Sequence, residues 1–392
     1  MHPRMSLVAG SYERFIWGFS LNPKNETLTL TPLFSYPSHL SLIKCVAVSG
    51  SVVASGGADD TIHLYDLATA ASLGSLHQHS ATVTALAFYA PPSLPFPRNL
   101  LSADAEGSLS LFDADGFVHL KTLPRVHRRA VNDLALHPSG KLALSVGRDE
   151  CLAMVNLVRG RRSFCCRLGK EASIVRYDLA GDRFFMAMEE KVTVHGAEDA
   201  RLLFELDCQK KVLCATPAKN GLLYTGGEDR NITAWDINSG KVAYCIEGAH
   251  NARVKGIVVL TDSDAASGSD DPYLVASASS DGVIHVWDVR MATTEKLNPV
   301  AECKTQSRLT CLAGSSLKLK RRHSGTNPKG QDQTMEGLLV PGGLKLTYPT
   351  RKPVSAKASN LSVAVIHPCT RYCYNKNSAY VTLRYIAGPK PG

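Results

Sequence analysis

Three observations predict an all-β fold: a ring of seven four-stranded blades, closed by strands from opposite ends of the chain. The first is a repeat with fixed internal spacing. In Leu274 to Arg290 (LVASASSDGVIHVWDVR) two apolar runs flank an Asp-Gly turn and end at Trp287-Asp288; Asp281 stands six residues before Trp287 and Ser277 ten before it. The same offsets join Trp235 to Asp229 and Thr225, Tyr65 to Asp59 and Ser55, Phe112 to Glu106 and Ser102, and Val155 to Asp149 and Ser145. The second is the period: the closing residues follow one another at intervals of 40 to 52, the length of four short antiparallel strands with their turns. The third is a pair of incomplete segments. Leu7 to Leu21 has the form of a second and third strand with no first strand before it, and Arg308 to Ala313 has the form of a first strand with nothing after it. Pairing Leu309–Ala313 with the N-terminal strands completes a seventh blade and removes the free sheet edges that would otherwise recruit other chains.

In chain order, blade one has Phe19 at the closing position, Glu13 at the turn, and an outer strand over Leu28 to Leu33. Blade two runs from His39 to Asp66. Blade three runs from near His79 to Asp113, its first two strands joined by Tyr89 to Arg98 (YAPPSLPFPR), whose prolines cannot lie inside a strand. Blade four starts at His127, turns at His137 to Lys141 and ends near Asn156. Blade five, about Ser173 to Gly196, is degenerate: Glu189 keeps the turn acid, His195 closes it, and Phe185 replaces the hydroxyl. Blade six ends at Trp235-Asp236. Blade seven spans His250 to Asp288 and carries an acidic insertion, Thr261 to Asp271. The propeller domain is thus residues 7–313, and residues 314–392 are expected to be a basic, mostly disordered tail.

Composition sets limits on function. The chain has 392 residues, 44% hydrophobic and 20% charged, as in soluble globular proteins. No run nears the roughly 18 apolar residues of a membrane span, and the N-terminus lacks a secretory pattern, so an intracellular protein without a membrane partner is expected. There is no C-x-x-C among the eleven cysteines, which argues for unpaired thiols and against zinc. Of the 44 Lys and Arg and 35 Asp and Glu, residues 314–392 hold 13 and 2, leaving 31 and 33 in the body. A near-neutral body assigns any weak contact with rRNA phosphate to the tail.

The hydroxyl and acid positions have a structural reading. A turn carboxylate can accept from a histidine in the loop before the first strand; the histidine can bond the hydroxyl, and the hydroxyl an indole N–H. His39, His79, His127 and His250 occupy such loops. The predicted networks are His39, Ser55 and Asp59; His127, Ser145 and Asp149; Thr225, Asp229 and Trp235; and the one complete set, His250, Ser277, Asp281 and Trp287. Recurrence marks a packing device rather than a catalytic triad, and G-x-S-x-G, G-x-x-x-x-G-K-[ST] and H-E-x-x-H are absent. His77 and His79 lack a third ligand, so no metal or cofactor is expected. Loops Tyr89–Arg98 and Thr261–Asp271 both join first to second strands and should share one face; Asp262, Asp264, Asp270 and Asp271 would favour a basic partner there.

Trp235-Asp236, Trp287-Asp288, the related Tyr65-Asp66 and Phe112-Asp113, and the upstream histidines make residues 7 to 313 resemble a WD40-repeat propeller. LVAGSYERFIWGF, HPSGKLALSVGRDE, NLVRGRRSF, SASSDGVIHVWD and RLTCL more closely resemble the PAK-interacting-protein-like family, which includes the yeast maintenance-of-killer protein. The resemblance implies a non-enzymatic nucleolar factor in large ribosomal subunit (60S) maturation, working as a monomeric subunit among pre-60S assembly factors, and a negative regulator of p21-activated kinase. An alternative is a substrate receptor of a cullin-based ubiquitin ligase: Leu274–Arg290 also resembles the WD-x-R box, with Trp287, Asp288 and Arg290 as the residues that dock on a cullin adaptor.

Overall fold

Runs of four to eleven residues rich in Val, Leu, Ile and Ala, punctuated by Gly, Asp and Asn, form strands because each must pair its backbone and bury its apolar side chains at once. The computed structural model of the chain describes residues 4–24, 27–91, 94, 96–260, 273–290, 292 and 297–317. Its 28 strands fall into seven antiparallel four-stranded sheets. Blade two is β4 (Ile43–Ser49), β5 (Val52–Gly57), β6 (Ile62–Asp66) and β7 (Ala71–Leu76). Blade three is β8 (Val83–Tyr89), β9 (Asn99–Asp104), β10 (Leu109–Asp113) and β11 (Val118–Leu123). Blade four is β12 (Val131–Leu136), β13 (Leu142–Gly147), β14 (Cys151–Asn156) and β15 (Arg161–Arg167). Blade five is β16 (Ile174–Tyr177), β17 (Arg183–Met188), β18 (Lys191–Gly196) and β19 (Leu202–Asp207). Blade six is β20 (Val212–Pro217), β21 (Leu222–Gly227), β22 (Ile232–Asp236) and β23 (Lys241–Ile246). Blade seven is β24 (Val254–Leu260), β25 (Leu274–Ser279), β26 (Val283–Asp288) and β27 (Ala301–Lys304).

Blade one is made from both ends of the chain. Its order is β28 (Leu309–Leu317), β1 (Arg4–Ser11), β2 (Phe15–Lys24) and β3 (Thr27–Pro37). The late strand lies antiparallel to β1, with Ala9 opposite Leu312. At the junction the Tyr12 N–H donates to the Arg308 carbonyl at 2.8 Å, and the Glu13 carboxylate accepts from the Arg308 N–H at 2.8 Å and from its Nε at 2.7 Å. This closing strand runs four residues past Ala313. Gly314, Ser315 and Ser316 are weak strand formers alone, but they pair with Leu7, Ser6 and Met5, so the partner strand supplies what propensity does not.

Burial follows position within the blade. The second strand is buried along almost its whole length, as in β5 and β25, whereas the outer strand β7 is exposed. Each hydrophobic cluster joins two neighbouring blades. Val8, Ile16 and Phe34 of blade one meet Ile43, Val53 and Tyr65 of blade two; Leu309 and Leu7 meet Ala276 and Ile284 across the seam between blades seven and one. A single blade would leave both faces wet. No helix among the described residues is long and apolar enough to cross a membrane. The described residues belong to one compact unit; the tail assigned to disorder is, beyond Leu317, outside the described residues.

Candidate functional site

The first strand of a blade leaves the loop that carries the histidine, and the turn between its second and third strands lies beside that loop. This brings the hydroxyl, imidazole and carboxylate together. In blade two, His39 Nδ1 is 2.9 Å from Asp59 Oδ1 and Nε2 is 2.8 Å from Ser55 Oγ. In blade four, His127 Nδ1 is 2.9 Å from Asp149 and Nε2 is 2.9 Å from Ser145 Oγ. The network assigns one tautomer to both: Nδ1–H donates to the carboxylate and Nε2 accepts from the serine. Burial alone would raise the Asp59 carboxyl, but the His39 hydrogen bond and the Leu40 N–H hold it at about 2. Asp149 is likewise drawn below its ordinary value despite burial, by the Arg128 N–H and His127. Both carboxylates and both rings are needed by the fold. Ser55, Ser102, Ser145 and Ser277 are wholly buried, so no substrate carbonyl can reach their oxygens, and the Ser–His–Asp sets act as packing devices.

Blade three corrects the assignment of Glu106. The acid facing His79 is Asp104, 2.8 Å from Nδ1, while Ser102 Oγ is 2.6 Å from Nε2; Glu106 instead accepts from Ser80 at 3.1 Å. Asp104 stands two residues after the hydroxyl, where blades two and four have glycine. A Cβ at Gly57 would lie 2.2 Å from Asp59 Oδ1 and 2.3 Å from His39 Nδ1; one at Gly147 would lie 2.6 Å from His127 Nδ1. That position must be empty for a later acid to reach the ring, or must itself be the acid.

Blade seven corrects the expected complete set. Trp287 Nε1 donates to Ser277 Oγ at 2.9 Å, and Ser277 Oγ is 2.7 Å from His250 Nε2. Asp281 does not join: it is exposed and accepts from the Val283 N–H at 3.0 Å. His250 Nδ1 is left buried without a partner among the described residues. Ser279 stands at the position held by Gly57 and Gly147 in blades two and four, and its Oγ is 3.4 Å from the Asp281 N–H. Burial, and then the neighbouring His285 ring stacked 4.6 Å away, push His250 down to about 4.

Blade six lacks the histidine. Trp235 Nε1 donates to Thr225 Oγ1 at 2.9 Å, but the residue four before the first strand is Cys208, where blades two, three, four and seven place His39, His79, His127 and His250. A cavity of about 280 Å³ lined by Cys208, Thr225, Asp229 and Trp235 takes the ring's place. Without an imidazole partner, burial prevails and the Asp229 carboxyl lies above its ordinary value. The four-residue offset singles out Cys208 as the residue in the histidine's place; the cavity beside it is visible only in the fold.

His77 and His79 take separate partners, since His77 Nε2 bonds Ser75 Oγ at 2.8 Å. Ligand atoms of His39, Asp59 and His63 lie within 4.8 Å of one another, but both nitrogens of His39 are already engaged, so this cluster belongs to the packing network. On the opposite face, Tyr89 Oη donates to the Ser139 carbonyl at 3.2 Å and the Arg98 N–H returns to the Tyr89 carbonyl at 2.8 Å. The Tyr89 loop is thus pinned to the first turn of blade four and displays Leu94 and Phe96. The strands flanking the acidic insertion, β24 and β25, end on the same face; Asp262, Asp264, Asp270 and Asp271 themselves lie outside the described residues. Arg290 is held within its own chain: Nε donates to Asp288 Oδ1 at 2.9 Å, and the guanidinium lies 4.6 Å from the Tyr273 ring centre. On the ring axis the inner strands enclose a channel of about 570 Å³ bearing Lys44, Lys255 and the Asp133–Arg176 ion pair.

A closed ring of seven blades, whose turns are tied to loops by hydroxyl–imidazole chains, is a WD40 β-propeller, a class that presents loops for binding other proteins. The family model for the WD domain, G-beta repeat, matches residues 30–66, 117–154 and 245–288. The chain is 33% identical over 312 residues to the zebrafish p21-activated protein kinase-interacting protein 1-like, covering 80% of this chain and 81% of that one. It is 32% identical over 314 residues to human p21-activated protein kinase-interacting protein 1, covering 79% and 76%. It is 27% identical over 380 residues to Protein MAK11 of Saccharomyces cerevisiae, covering 84% and 89%. The chain belongs to the p21-activated protein kinase-interacting protein 1-like family of WD40 proteins.

Proposed function

We propose that this propeller is a non-enzymatic assembly scaffold in large ribosomal subunit maturation, working in the nucleolus among pre-60S assembly factors. The observation that carries the reading is the match of nearly the whole repeat body to a family that includes MAK11, together with the role that the resemblance implies. The geometry supports it: buried hydroxyls leave the networks no reacting atom, while rigid loops on two faces offer contact area. Gradient sedimentation tests it. The protein should migrate with precursors of the large subunit, and its absence from those fractions would remove the reading.

A second reading is binding of a p21-activated kinase, favoured by the names of the zebrafish and human relatives; its inhibition is what the family resemblance implies. Its test is a purified kinase of that class, whose activity should fall on addition of this protein. The cullin-adaptor reading rests on Arg290, whose guanidinium is exposed while it bonds Asp288 and lies over Tyr273; adaptor pull-down undiminished in an Arg290→Ala variant would count against it.

A further inference from the structure

The body is neutral as a whole but not locally. Residues 118–170 hold eleven of its 31 Lys and Arg and only three of its 33 Asp and Glu. A surplus of eight positive charges sits on blade four and the edge of blade three, and the remainder of the body is acidic. All eleven cations are exposed. The three acids are already committed: Asp133 to Arg176, Asp149 to His127, Glu150 to Arg167. Of the eleven cations, Arg167 alone makes an ion pair among the described residues.

Their placement is a track. Arg128 and Arg129 stand in the loop before β12, and Arg148 in the β13–β14 turn beside it, at the end of the blade that carries the histidine networks. Arg161 and Arg162 lie on β15, the exposed outer strand, where Arg162 is steadied by donating to the Val126 carbonyl at 2.6 Å. Arg159 and Lys141 occupy turns at the opposite end. The seven residues of β15 extend about 23 Å at roughly 3.3 Å each. Lys121 of blade three joins the same surface by lying over Gly160, where a Cβ would meet its Cδ at 2.8 Å.

So many like charges without internal counter-ions destabilise the ring by self-repulsion; a bound polyanion relieves this. Arginine forks match phosphate oxygens, and a continuous band passing over a blade edge from one face to the other suits a backbone with regularly repeated charge. We propose that the basic band of blade four binds the phosphate backbone of folded RNA. This moves the RNA contact from the tail, where whole-chain charge had placed it, onto the propeller. It deepens the large-subunit reading, and its measurement is separate.

The experiment is fluorescence anisotropy of the full chain with a labelled RNA hairpin of about 20 base pairs across a salt series. The triple variant Arg128→Glu/Arg129→Glu/Arg148→Glu should bind tenfold or more weakly at about 150 mM salt, with the log–log salt slope smaller by about 3. The outer-strand variant Arg159→Glu/Arg161→Glu should also weaken binding, and neither should melt below the parent, since each relieves self-repulsion. Lys318→Glu/Lys320→Glu/Arg321→Glu in the tail should have the smaller effect. Unchanged affinity in both blade-four variants overturns the inference, as does displacement of RNA by polyglutamate as readily as by unlabelled RNA, which would make the band a site for acidic protein. Co-sedimentation with large-subunit precursors, without blade-four dependence on RNA, would overturn this inference alone. RNA binding through blade four without co-sedimentation would overturn the scaffold reading alone.

Discussion

At the residue scale, the value of a polar side chain is set by whether its partner reaches it. Asp59 accepts from His39, from the Leu40 N–H at 2.6 Å and from Thr61 Oγ1 at 2.9 Å. Asp59→Ala should strand a buried imidazole N–H and cost about 1–3 kcal/mol, measured by denaturant unfolding. Asp281→Ala should cost less than about 0.5 kcal/mol, the reverse of what recurrence in the sequence suggests, because Asp281 is exposed and off the network. His250 supplies the pH dependence. Its folded value is depressed from 6.5 to about 4, so the unfolded chain takes up the proton first. The contribution is fully present above about 6.5 and is lost as pH falls towards 4, by up to about 3 kcal/mol. Thermal melts over that range should show this acid limb, and His250→Leu should flatten it.

At the element scale, all seven blades use one strand plan, but in the four blades with a loop histidine one position differs along with how the turn meets the loop. Two residues after the hydroxyl, Gly57 and Gly147 admit the acid and Asp104 is the acid; in blade seven that residue is Ser279, and His250 Nδ1 has no partner among the described residues. Ser279→Gly should let Asp281 reach His250, raising the imidazole pKa by NMR titration and raising the melting temperature. In blade six the missing member is the ring. Cys208→His should fill the cavity of about 280 Å³ beside Asp229 and lower the Asp229 pKa towards that of Asp59. It should add on the order of 1 kcal/mol, the net worth of one buried hydrogen bond, read from the denaturation midpoint. A lower midpoint would show that the slot cannot take an imidazole.

At the scale of the whole molecule, closure makes the ring one cooperative body. Blades share their cores with their neighbours, so the bond between β28 and β1 determines whether seven contacts form or six. Leu309 is 1% exposed at that seam. Leu309→Ala should cost about 2–5 kcal/mol and lower one shared transition in both circular dichroism and tryptophan fluorescence; two separate transitions would argue against closure as the source of cooperativity. Strand count, blade order and the joining of the two ends were legible in the residues, because the side-chain alternation, Asp-containing turns and closing aromatics that specify them are local and recur at fixed offsets. The later limit of β28, the exclusion of Asp281, the substitution of Asp104 for Glu106 and the empty slot beside Cys208 depend on sub-ångström to few-ångström clearances between segments more than twenty residues apart, which spacing alone does not encode. The charge band lies between these cases: its arginines are visible as letters, but whole-chain counting averaged them away, and only the folding of two turns and an outer strand onto one blade edge sets them side by side. The sequence by itself therefore determined the ring and its family, because repeated local patterns carry that information; the tertiary structure decided which polar groups meet and where charge gathers, because those outcomes depend on distances that exist only after the chain has closed.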